Sequence, residues 1–342
     1  MVSFESDYIT GAHPEILRRL AQTNLEPQPG YGADTYTLSA KKKIAAVFGV
    51  SPEDVEFFAG GTQTNAVVIG TMLKDYEGVV AAATGHISAH EAGAVEYAGH
   101  KVLPIEQQNG KISLPALERF LNAFYADDNR EHMVFPGMVY ISHPTEYGTL
   151  YSKAELEALA AICRRYAMPL FMDGARLGYA LASAETDVTP EDIARLCDVF
   201  YIGGTKMGAL CGEAVVFTRG NKPQHFLTSV KRRGALLAKG RLIGVQFDTL
   251  FTDGLYFEIA RHAVSMAQKM KQIFLDKGYR LFIESPTNQQ FVVLDNKTME
   301  MLGAQVAFSY WETVDAEHTV VRFATCWSTT QEDLALLESA LQ

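Results

Sequence analysis

The sequence predicts an α/β fold, in which a doubly wound and mostly parallel sheet is followed by a smaller α+β domain. Short apolar strands alternate with amphipathic helices as far as residue 217, which is the pattern of βα units around a parallel sheet. Several of these strands stop at polar or charged residues, as at Asp173. From about residue 221 helical segments dominate and short strands follow, so we predict a change of architecture there.

Length and composition fit a protein of two domains. The chain has 342 residues, of which 48% are hydrophobic and 20% are charged, and this is enough to bury a sizeable core. We predict an N-terminal arm and helix over residues 1–20, a large domain over 21–240 and a small domain over 241–342.

Charge and cysteine usage argue against several classes of protein. The net charge is −10, so the chain lacks the basic surface that nucleic-acid binding requires. Its four cysteines show no CxxC pair and no disulfide spacing, which fits a reducing compartment. We see neither the apolar segment of a secretory signal nor a run near the roughly 20 apolar residues that span a bilayer. We therefore expect a cytoplasmic protein with no nucleic-acid or membrane partner.

A Pro- and Gly-rich loop separates the first two predicted helices. One helix begins near Pro14, and the other covers residues 39–48 with Gly49 as its C-cap. The loop over 27–34 cannot be regular structure. Its Tyr31 stands between two glycines, which is an unusual place for a core residue.

A strand, a glycine turn and a helix then follow one another over residues 55–72. The turn carries Gly60 and Gly61, and Thr62 opens the helix. Free N–H groups and the dipole of a helix N-terminus favour a phosphate, and glycines let the backbone approach it. The motif is neither a Walker A loop nor GxGxxG. We favour a phosphate site over the simpler alternative, a Thr N-cap after a turn.

Two histidines, His86 and His143, follow the ends of predicted strands. His86 and His90 are spaced i, i+4, as metal ligands often are, but the HExxH motif would need Glu at Ile87. A histidine at a strand end can instead lie flat over an aromatic cofactor ring. A hydrogen-bonded histidine at a helix start is the alternative.

The most informative pair of residues is Asp173 and Lys206, which follow two successive apolar strands. Ligands bind beyond the carboxyl ends of parallel strands, so both side chains are expected to face one crevice. Pyridoxal phosphate needs a lysine for a Schiff base and a carboxylate for its ring nitrogen. An ion pair of Asp173 with Arg176 and a solvated Lys206 explain each residue singly, but not their joint occurrence.

The remaining elements complete both predicted domains. In the large domain we expect strands at 79–83, 101–105, 138–142 and an antiparallel 213–217, and helices at 114–124 and 153–166. In the small domain we expect strands at 281–283, 291–294 and 319–324, and helices from 297 and over 331–342. Arg322 stands inside the last strand, where an unpaired charge is costly. It is either part of a sheet-face ion pair or a clamp for a substrate carboxylate.

Together these residues resemble one family over nearly the whole chain. The residues that carry the resemblance are Ser6-Asp7 with Thr10, Tyr31-Gly32-Ala33-Asp34, Gly61-Thr62 with Asn65, His86, His143, Asp173-Gly174-Ala175-Arg176, Lys206, Arg241 and Arg322. The family is that of the low-specificity L-threonine aldolases, β-eliminating lyases that use pyridoxal phosphate on fold type I. The resemblance implies a homo-oligomer, a dimer of dimers with active sites at the dimer interface, acting on a small amino acid.

The resemblance also implies roles for the matching residues. The residues expected to contact the cofactor are Lys206, Asp173, His86, Gly61, Thr62, Arg176 and, from a neighbouring subunit, Arg241. Lys206 would bond to it covalently, Asp173 would pair with the ring nitrogen and His86 would stack on the ring. The residues expected near the substrate are Ser6, Arg176 and Arg322 at its carboxylate, His143 near its β-hydroxyl and Tyr31 at the partner's site.

This chain departs from the family pattern around the pocket for the substrate side chain. Gly60 replaces a serine, Ile87-Ser88-Ala89 stand after His86 where many members carry aromatics, residues 144–148 read PTEYG, and Gly-Gly-Thr precedes Lys206. The predicted reaction is cleavage of L-threonine or L-allo-threonine to glycine and acetaldehyde, with His86 or His143 as the base.

Three other functions stay open at this stage. The first is another reaction on the same fold, β-elimination or transamination. The second is a nucleotide-binding regulatory module that uses the glycine turn, and the third is a zinc hydrolase built on His86 and His90.

Overall fold

In the computed structural model, which describes residues 1–341, a large α/β unit is joined to a smaller α+β unit. The strands are β1 (Val2–Ser3), β2 (Val55–Phe58), β3 (Glu77–Ala82), β4 (Val102–Ile105), β5 (Gln107–Gln108), β6 (Lys111–Ile112), β7 (Phe135–Ser142), β8 (Leu170–Asp173), β9 (Val199–Gly203), β10 (Glu213–Phe217), β11 (Arg280–Ile283), β12 (Gln289–Asp295), β13 (Val306–Ala307), β14 (Ser309–Thr313) and β15 (His318–Ala324). The helices are α1 (Pro14–Thr23), α2 (Thr35–Phe48), α3 (Gly61–Met72), α4 (His86–Ala89), α5 (Ala94–Tyr97), α6 (Leu114–Ala126), α7 (Lys153–Arg165), α8 (Leu177–Ala182), α9 (Pro190–Leu196), α10 (Phe226–Arg232), α11 (Arg241–Leu250), α12 (Leu255–Asp276), α13 (Asn296–Gly303) and α14 (Gln331–Ala340).

The large unit is built on a sheet with the strand order β2-β10-β9-β8-β7-β3-β4. The strands from β9 to β4 run parallel, whereas β10 is antiparallel to both of its neighbours. This confirms the predicted α/β sheet and its antiparallel strand at 213–217. Because β7, β8 and β9 are parallel neighbours, their carboxyl ends meet at one edge, where a ligand cleft is expected.

Apolar side chains cover both faces of this sheet. One face carries Val139, Ile141 and Met172, and the other carries Tyr140 and Phe171. Alternate residues of a strand point to opposite faces, so both faces of a central strand can be apolar only when helices cover both. The near-continuous apolar sequence of these strands has this physical cause.

The small unit has an antiparallel sheet of order β11-β12-β15-β14. Its core contains Phe274 and Phe323 together with Phe4 from the N-terminal arm. The arm is fixed by backbone hydrogen bonds, since the Phe4 amide donates to the Ala307 carbonyl at 2.8 Å and the Ala324 amide donates to the Phe4 carbonyl at 2.8 Å. The arm therefore carries the next residues, Ser6 and Asp7, to the junction of the two units.

Most predicted elements form, and their caps explain where several helices begin and end. Ser152 makes a capping box with Glu155 at the start of α7, and Gly49 ends α2 in the left-handed region, as the sequence indicated. The helix predicted around His86 is only the four-residue α4. The edge strand β14 was not predicted, because its pairing with β15 is broken by a bulge and its sequence lacks clean alternation. The last helix ends at Ala340, and Gln342 lies outside the described residues.

The helices that follow residue 240 are shared between the two units. Ile243 and Phe247 of α11 and Tyr256 of α12 belong to the core of the large sheet. Met270 and Phe274, farther along α12, belong to the core of the small unit. The long α12 therefore ties the two cores together. No helix within residues 1–341 combines the length and apolar character that crossing a membrane demands.

Candidate active site

Asp173, the last residue of β8, is the centre of a buried hydrogen-bond network. Its carboxylate accepts hydrogen bonds from the Tyr140 hydroxyl at 2.5 Å, the Asn65 side-chain amide at 3.3 Å and the Ala175 backbone amide at 2.9 Å. Burial raises the pKa of Asp173, but the charge of His86 and hydrogen bonds from Tyr140 and Tyr201 outweigh burial, so the net shift is downward. The group therefore remains an anion inside the protein.

Local packing explains the residue that follows Asp173. A Cβ added to Gly174 would lie 1.9 Å from the backbone carbonyl oxygen of Tyr201, so no larger residue fits between β8 and β9. This close approach keeps the carboxylate of Asp173 within hydrogen-bonding reach of Tyr201. Packing therefore requires glycine at position 174, and the hydrogen-bond network depends on the carboxylate at position 173.

Lys206 lies in a 3₁₀ turn, Thr205–Met207, just beyond β9. The Tyr179 hydroxyl donates to the Lys206 carbonyl at 2.5 Å and fixes the backbone. Burial and the nearby Arg176 lower the pKa of the amine, while Asp7 and Asp173 oppose this shift. The charge of Asp173 thus acts on Lys206, and the lysine amine loses its proton more readily than a solvated one.

His86 begins α4, shortly after β3, and its ring is held by a buried acid, Glu91. Its Nδ1 lies 2.8 Å from Glu91 Oε1, and its backbone amide donates to Glu146 Oε1 at 2.8 Å. Burial lowers the pKa of His86, but the hydrogen bond to Glu91 and the charge of Asp173 outweigh burial and raise it. About 35% of the side chain stays exposed, so the ring remains accessible from solvent.

Asn65, on α3, connects His86's partner to Asp173. Its side-chain amide donates to Glu91 Oε1 at 2.7 Å as well as to Asp173. A continuous chain of hydrogen bonds therefore runs from the ring of His86 to the carboxylate of Asp173.

The structure does not bring His143 into this group, and its predicted place near the β-hydroxyl stays a prediction. Its Nδ1 accepts from the Tyr151 backbone amide at 3.4 Å, and the ring packs against Tyr151. The ring is fully buried and its pKa is lowered to about 4 by burial, with Glu155 as its strongest charged neighbour. His143 immediately follows Ser142, whose register partner is Asp173. Since neighbouring residues point to opposite faces, His143 points away from the cleft.

The start of α3 has the features expected of a phosphate site. Gly60 is its N-cap residue and makes no side-chain cap, so the first amides lack the usual partner. A Cβ on Gly61 would lie 3.1 Å from the Tyr201 hydroxyl, which places this turn beside the partner of Asp173. Thr62 is exposed at the same helix start.

Ser6, Arg176 and Arg322 lie where the N-terminal arm meets both units. Arg176 makes a two-point ion pair with Asp7, through Nε at 2.7 Å and Nη2 at 3.0 Å. Arg322 has only neutral acceptors: the Glu5 carbonyl at 3.1 Å, and Ser309 Oγ and Gln289 Oε1 at 3.2 and 3.3 Å.

Two hydrogen-bond donors at this junction are unused. Within residues 1–341, Arg322 Nε and Ser6 Oγ are buried without a hydrogen-bond partner. Burial and the positive charge of Arg176 lower the pKa of Arg322 to about 10. A carboxylate placed here would offset both the desolvation and the repulsion.

Arg241 and Tyr31 are held apart from this cluster in the chain itself. Arg241 donates to the carbonyls of Glu26 at 2.6 Å and Thr23 at 2.5 Å, beyond the end of α1. Tyr31 has a left-handed backbone (φ 58°), is 51% exposed and lies 4.8 Å from the Lys231 ammonium. Their predicted roles concern a neighbouring subunit and stay predictions.

Several residues of the cleft were not identified from sequence as functional. They are Tyr140, Tyr201, Glu91, Glu146 and Glu213. Tyrosines inside apolar strands resemble core residues, and the acids resemble ordinary surface acids. A possible signal was Glu91, five residues after His86, but only the structure shows that its side chain turns inward.

Comparison with known proteins identifies the family. The family described as Beta-eliminating lyase matches residues 3–306. The chain belongs to the beta-eliminating lyases. The low specificity L-threonine aldolase of Pseudomonas sp. (strain NCIMB 10558) is 30% identical over 304 residues, which cover 87% of this chain and 86% of that protein.

Solved structures agree with this membership. A threonine aldolase structure from Leishmania major has a TM-score of 0.94 at 39% identity and covers 99% of this chain and 98% of its own. An aspartate aminotransferase of Thermus thermophilus has a TM-score of 0.72 at 14% identity, covering 99% and 90%, which shows a shared fold. The predicted family and fold type I are therefore confirmed.

Proposed function

We propose that this chain is a pyridoxal-phosphate-dependent aldehyde-lyase, which cleaves L-threonine or L-allo-threonine to glycine and acetaldehyde. The observation that carries the proposal is a buried, ionised Asp173 whose charge acts on both Lys206 and His86. The names of the Pseudomonas and Leishmania relatives support threonine as the substrate.

The residues of the cleft fit the cofactor. The uncapped start of α3 offers backbone amides to a phosphate, Asp173 offers a carboxylate to a pyridine nitrogen, and Lys206 offers an amine to an aldehyde. When bound there, pyridoxal phosphate supplies an electron sink that stabilises negative charge on the substrate Cα.

The substrate carboxylate is assigned to the junction of the two units. Among residues 1–341, Arg322 Nε and Ser6 Oγ have no hydrogen-bond partner, and both can donate to a carboxylate. Arg176 adds positive charge there, although Asp7 already occupies its Nε and Nη2. Holding the carboxylate fixes the orientation of the substrate and thereby of its Cα–Cβ bond.

His86 is the base that we assign to the β-hydroxyl proton. Its Nδ1 is occupied by Glu91, and its partly exposed ring leaves Nε2 available to accept a proton. A positioned base of this kind contributes on the order of 10²–10⁴-fold in rate. His143 is not carried forward for this role, because its ring is fully buried against Tyr151.

We also propose that the protein is a cytoplasmic homo-oligomer in which Tyr31 borders a neighbouring subunit's site. The apolar side chains of Tyr31 and Leu227 are 51% and 56% exposed and line the same surface pocket, which supports an interface there. Light scattering of the purified protein gives the number of subunits, and a monomer contradicts this assignment.

The reaction is tested by product analysis. Purified protein is incubated with L-threonine and with L-allo-threonine, with and without added cofactor, and acetaldehyde and glycine are measured. We expect equal amounts of both products, with dependence on the cofactor. Ammonia or a keto acid without acetaldehyde would identify β-elimination or transamination instead. A colourless protein whose melting temperature responds to nucleotides would favour a regulatory module.

A further inference from the structure

Glu91 is a buried acid whose carboxylate contacts the ring of His86. Its side chain is 0% exposed, and one oxygen, Oε1, lies 2.8 Å from His86 Nδ1 and 2.7 Å from Asn65 Nδ2. A carboxylate buried in this way is costly unless it accepts hydrogen bonds. The imidazole and the amide supply hydrogen bonds to Oε1, whereas Oε2 is buried without a partner within residues 1–341.

The contact fixes which nitrogen of His86 carries a proton. The Asn65 amide can only donate to Glu91 Oε1, so this oxygen is an acceptor. The His86 Nδ1 at the same oxygen is then the N–H donor, and Nε2 of the neutral ring is left as an acceptor. In the described part of the chain, 1–341, His86 Nε2 has no hydrogen-bond partner.

The backbone of His86 is held independently of its ring. The His86 amide donates to Glu146 Oε1, which also accepts from the Ser142 hydroxyl at 2.5 Å. The ring is thus anchored at the main chain by one carboxyl group and at Nδ1 by another, which leaves little rotational freedom around the side-chain torsions.

We infer that Glu91 is a positioning residue, which holds His86 as the Nδ1–H tautomer with Nε2 presented to the substrate β-hydroxyl. The inference rests on the proposed function and deepens it, because it selects the base and names the group that orients it. Asn65 extends the arrangement to Asp173 and ties the orientation of the base to the carboxylate that faces the cofactor ring.

The assignment follows the logic of other histidine bases. A carboxylate at one ring nitrogen selects the tautomer and stabilises the imidazolium that forms when the other nitrogen accepts a proton. When the substrate hydroxyl gives its proton to Nε2, the positive charge of His86 is balanced by Glu91. No further group is required to move.

Other ionisable groups also face His86 and have to be separated from Glu91. They are Asp173, Lys206, Glu146 and His90. Within residues 1–341, none of these four reaches a ring nitrogen of His86 within hydrogen-bond distance, whereas Glu91 does. Burial lowers the pKa of His86 and the hydrogen bond to Glu91 raises it most strongly, so loss of the Glu91 charge is expected to lower it.

The test compares Glu91→Gln with Glu96→Gln in the holoenzyme. Glu96 lies on the following short helix α5, and its Oε1 accepts from the Val102 backbone amide at 3.3 Å, so it controls for loss of a carboxylate nearby. For Glu91→Gln we expect kcat to fall about 10- to 100-fold, as part of the contribution of a base. The acidic limb of the kcat/KM profile should move to lower pH, because a base with a lower pKa stays deprotonated there. Glu96→Gln should change neither quantity.

A second measurement does not depend on catalysis. The ¹⁵N spectrum of protein labelled at histidine, with His86 assigned by comparison with His86→Asn, reports the tautomer directly. We expect the Nδ1–H form in the wild type and a lower titration midpoint in Glu91→Gln. Glu91→Asp, which keeps the charge, should restore part of the midpoint.

The two readouts distinguish the possible failures. A wild-type His86 in the Nε2–H form overturns the inference, even if Glu91→Gln does not fold. An unchanged midpoint and an unchanged acidic limb in a folded Glu91→Gln also overturn it. Absence of threonine cleavage together with the Nδ1–H form contradicts the proposed reaction but not the positioning of His86.

Discussion

Asp173, at the end of the site proposed for the cofactor ring, and Arg322, at the end proposed for the substrate carboxylate, differ in how far their hydrogen bonds are complete. At the ring end, Asp173 already accepts from Tyr140, Asn65 and the Ala175 amide. At the carboxylate end, Arg322 Nε and Ser6 Oγ are buried without partners within residues 1–341. The Asp173 carboxylate is thus fully paired by the protein, whereas Arg322 and Ser6 keep unused donors. Around Asp173, Asn65 Oδ1 and Glu91 Oε2 are also buried without partners within residues 1–341.

The difference matches what each end has to do. A group that stabilises charge throughout the reaction gains from being fixed in advance, since no reorganisation is then needed. Unsatisfied donors, in contrast, destabilise the free protein and reward the binding of an anion. Substitutions at the ring end should therefore affect the rate, and substitutions at the carboxylate end should affect binding.

The largest effect is expected from Lys206→Ala. Loss of the amine removes the covalent attachment of the cofactor, so the visible absorbance band disappears and acetaldehyde release falls by at least about 10³-fold. Lys101→Ala, at an exposed position next to β4, is the control and should match the wild type in both measurements. An unchanged absorbance band in Lys206→Ala would contradict the assignment.

Asp173→Asn is expected to act mainly on the rate. It removes the anion that would pair with the ring nitrogen, and we expect kcat to fall roughly 10²-fold or more. The amide oxygen can still accept from Tyr140 and Asn65, but the new NH2 group would then face the Ala175 amide, a second donor, so we also expect a lower melting temperature. A variant with normal kcat and raised KM would reverse the comparison between the two ends.

Arg322→Gln is expected to act mainly on binding. Loss of a charge-assisted hydrogen bond is worth about 1.5–3 kcal/mol, so KM for threonine should rise about 10- to 100-fold while kcat falls less. Removing a buried charge that has no acidic partner should leave the melting temperature unchanged or higher. Steady-state kinetics and calorimetry check both points, and a lower melting temperature would indicate a structural ion pair instead.

The smallest effect concerns acid stability and Asp7. Burial raises the pKa of Asp7, but Arg176 and Lys206 outweigh burial and lower the pKa from 3.8 to about 2. A depressed pKa contributes stability above the unfolded value, and this contribution is lost as the pH falls through about 2. Denaturation by urea at pH 7 and near pH 2 should show that Asp7→Asn costs more free energy of unfolding at pH 7. Equal losses at both pH values would contradict the role of the charge.

Sequence alone could place the residues that follow strands, because chain order determines which strand ends share an edge. Asp173, Lys206 and His86 were predicted in this way. The same rule does not say on which side of the sheet a side chain lies: Ser142 aligns with Asp173, whereas the ring of the next residue, His143, packs against Tyr151.

The partners of these residues could not be predicted from the chain. Asn65 reaches Glu91 across 26 positions and Asp173 across 108, and no local pattern signals such contacts. Likewise Tyr140 reads as a core residue of β7, and its hydroxyl gains meaning only beside Asp173. Fold and reactive groups follow from local pattern, whereas their tuning follows from tertiary packing.

Asp7 has a mechanical consequence. It accepts from Arg176 in the large unit and from Asn288 at 2.9 Å in the small unit, while Phe4, three residues earlier, is locked into the small sheet. The N-terminal arm therefore links the two units at their interface. A shift of one unit against the other would therefore strain the contacts of Asp7 beside the proposed site for the substrate carboxylate. Substitution of Phe4, which is remote from the site, should therefore raise KM for threonine more than it lowers kcat.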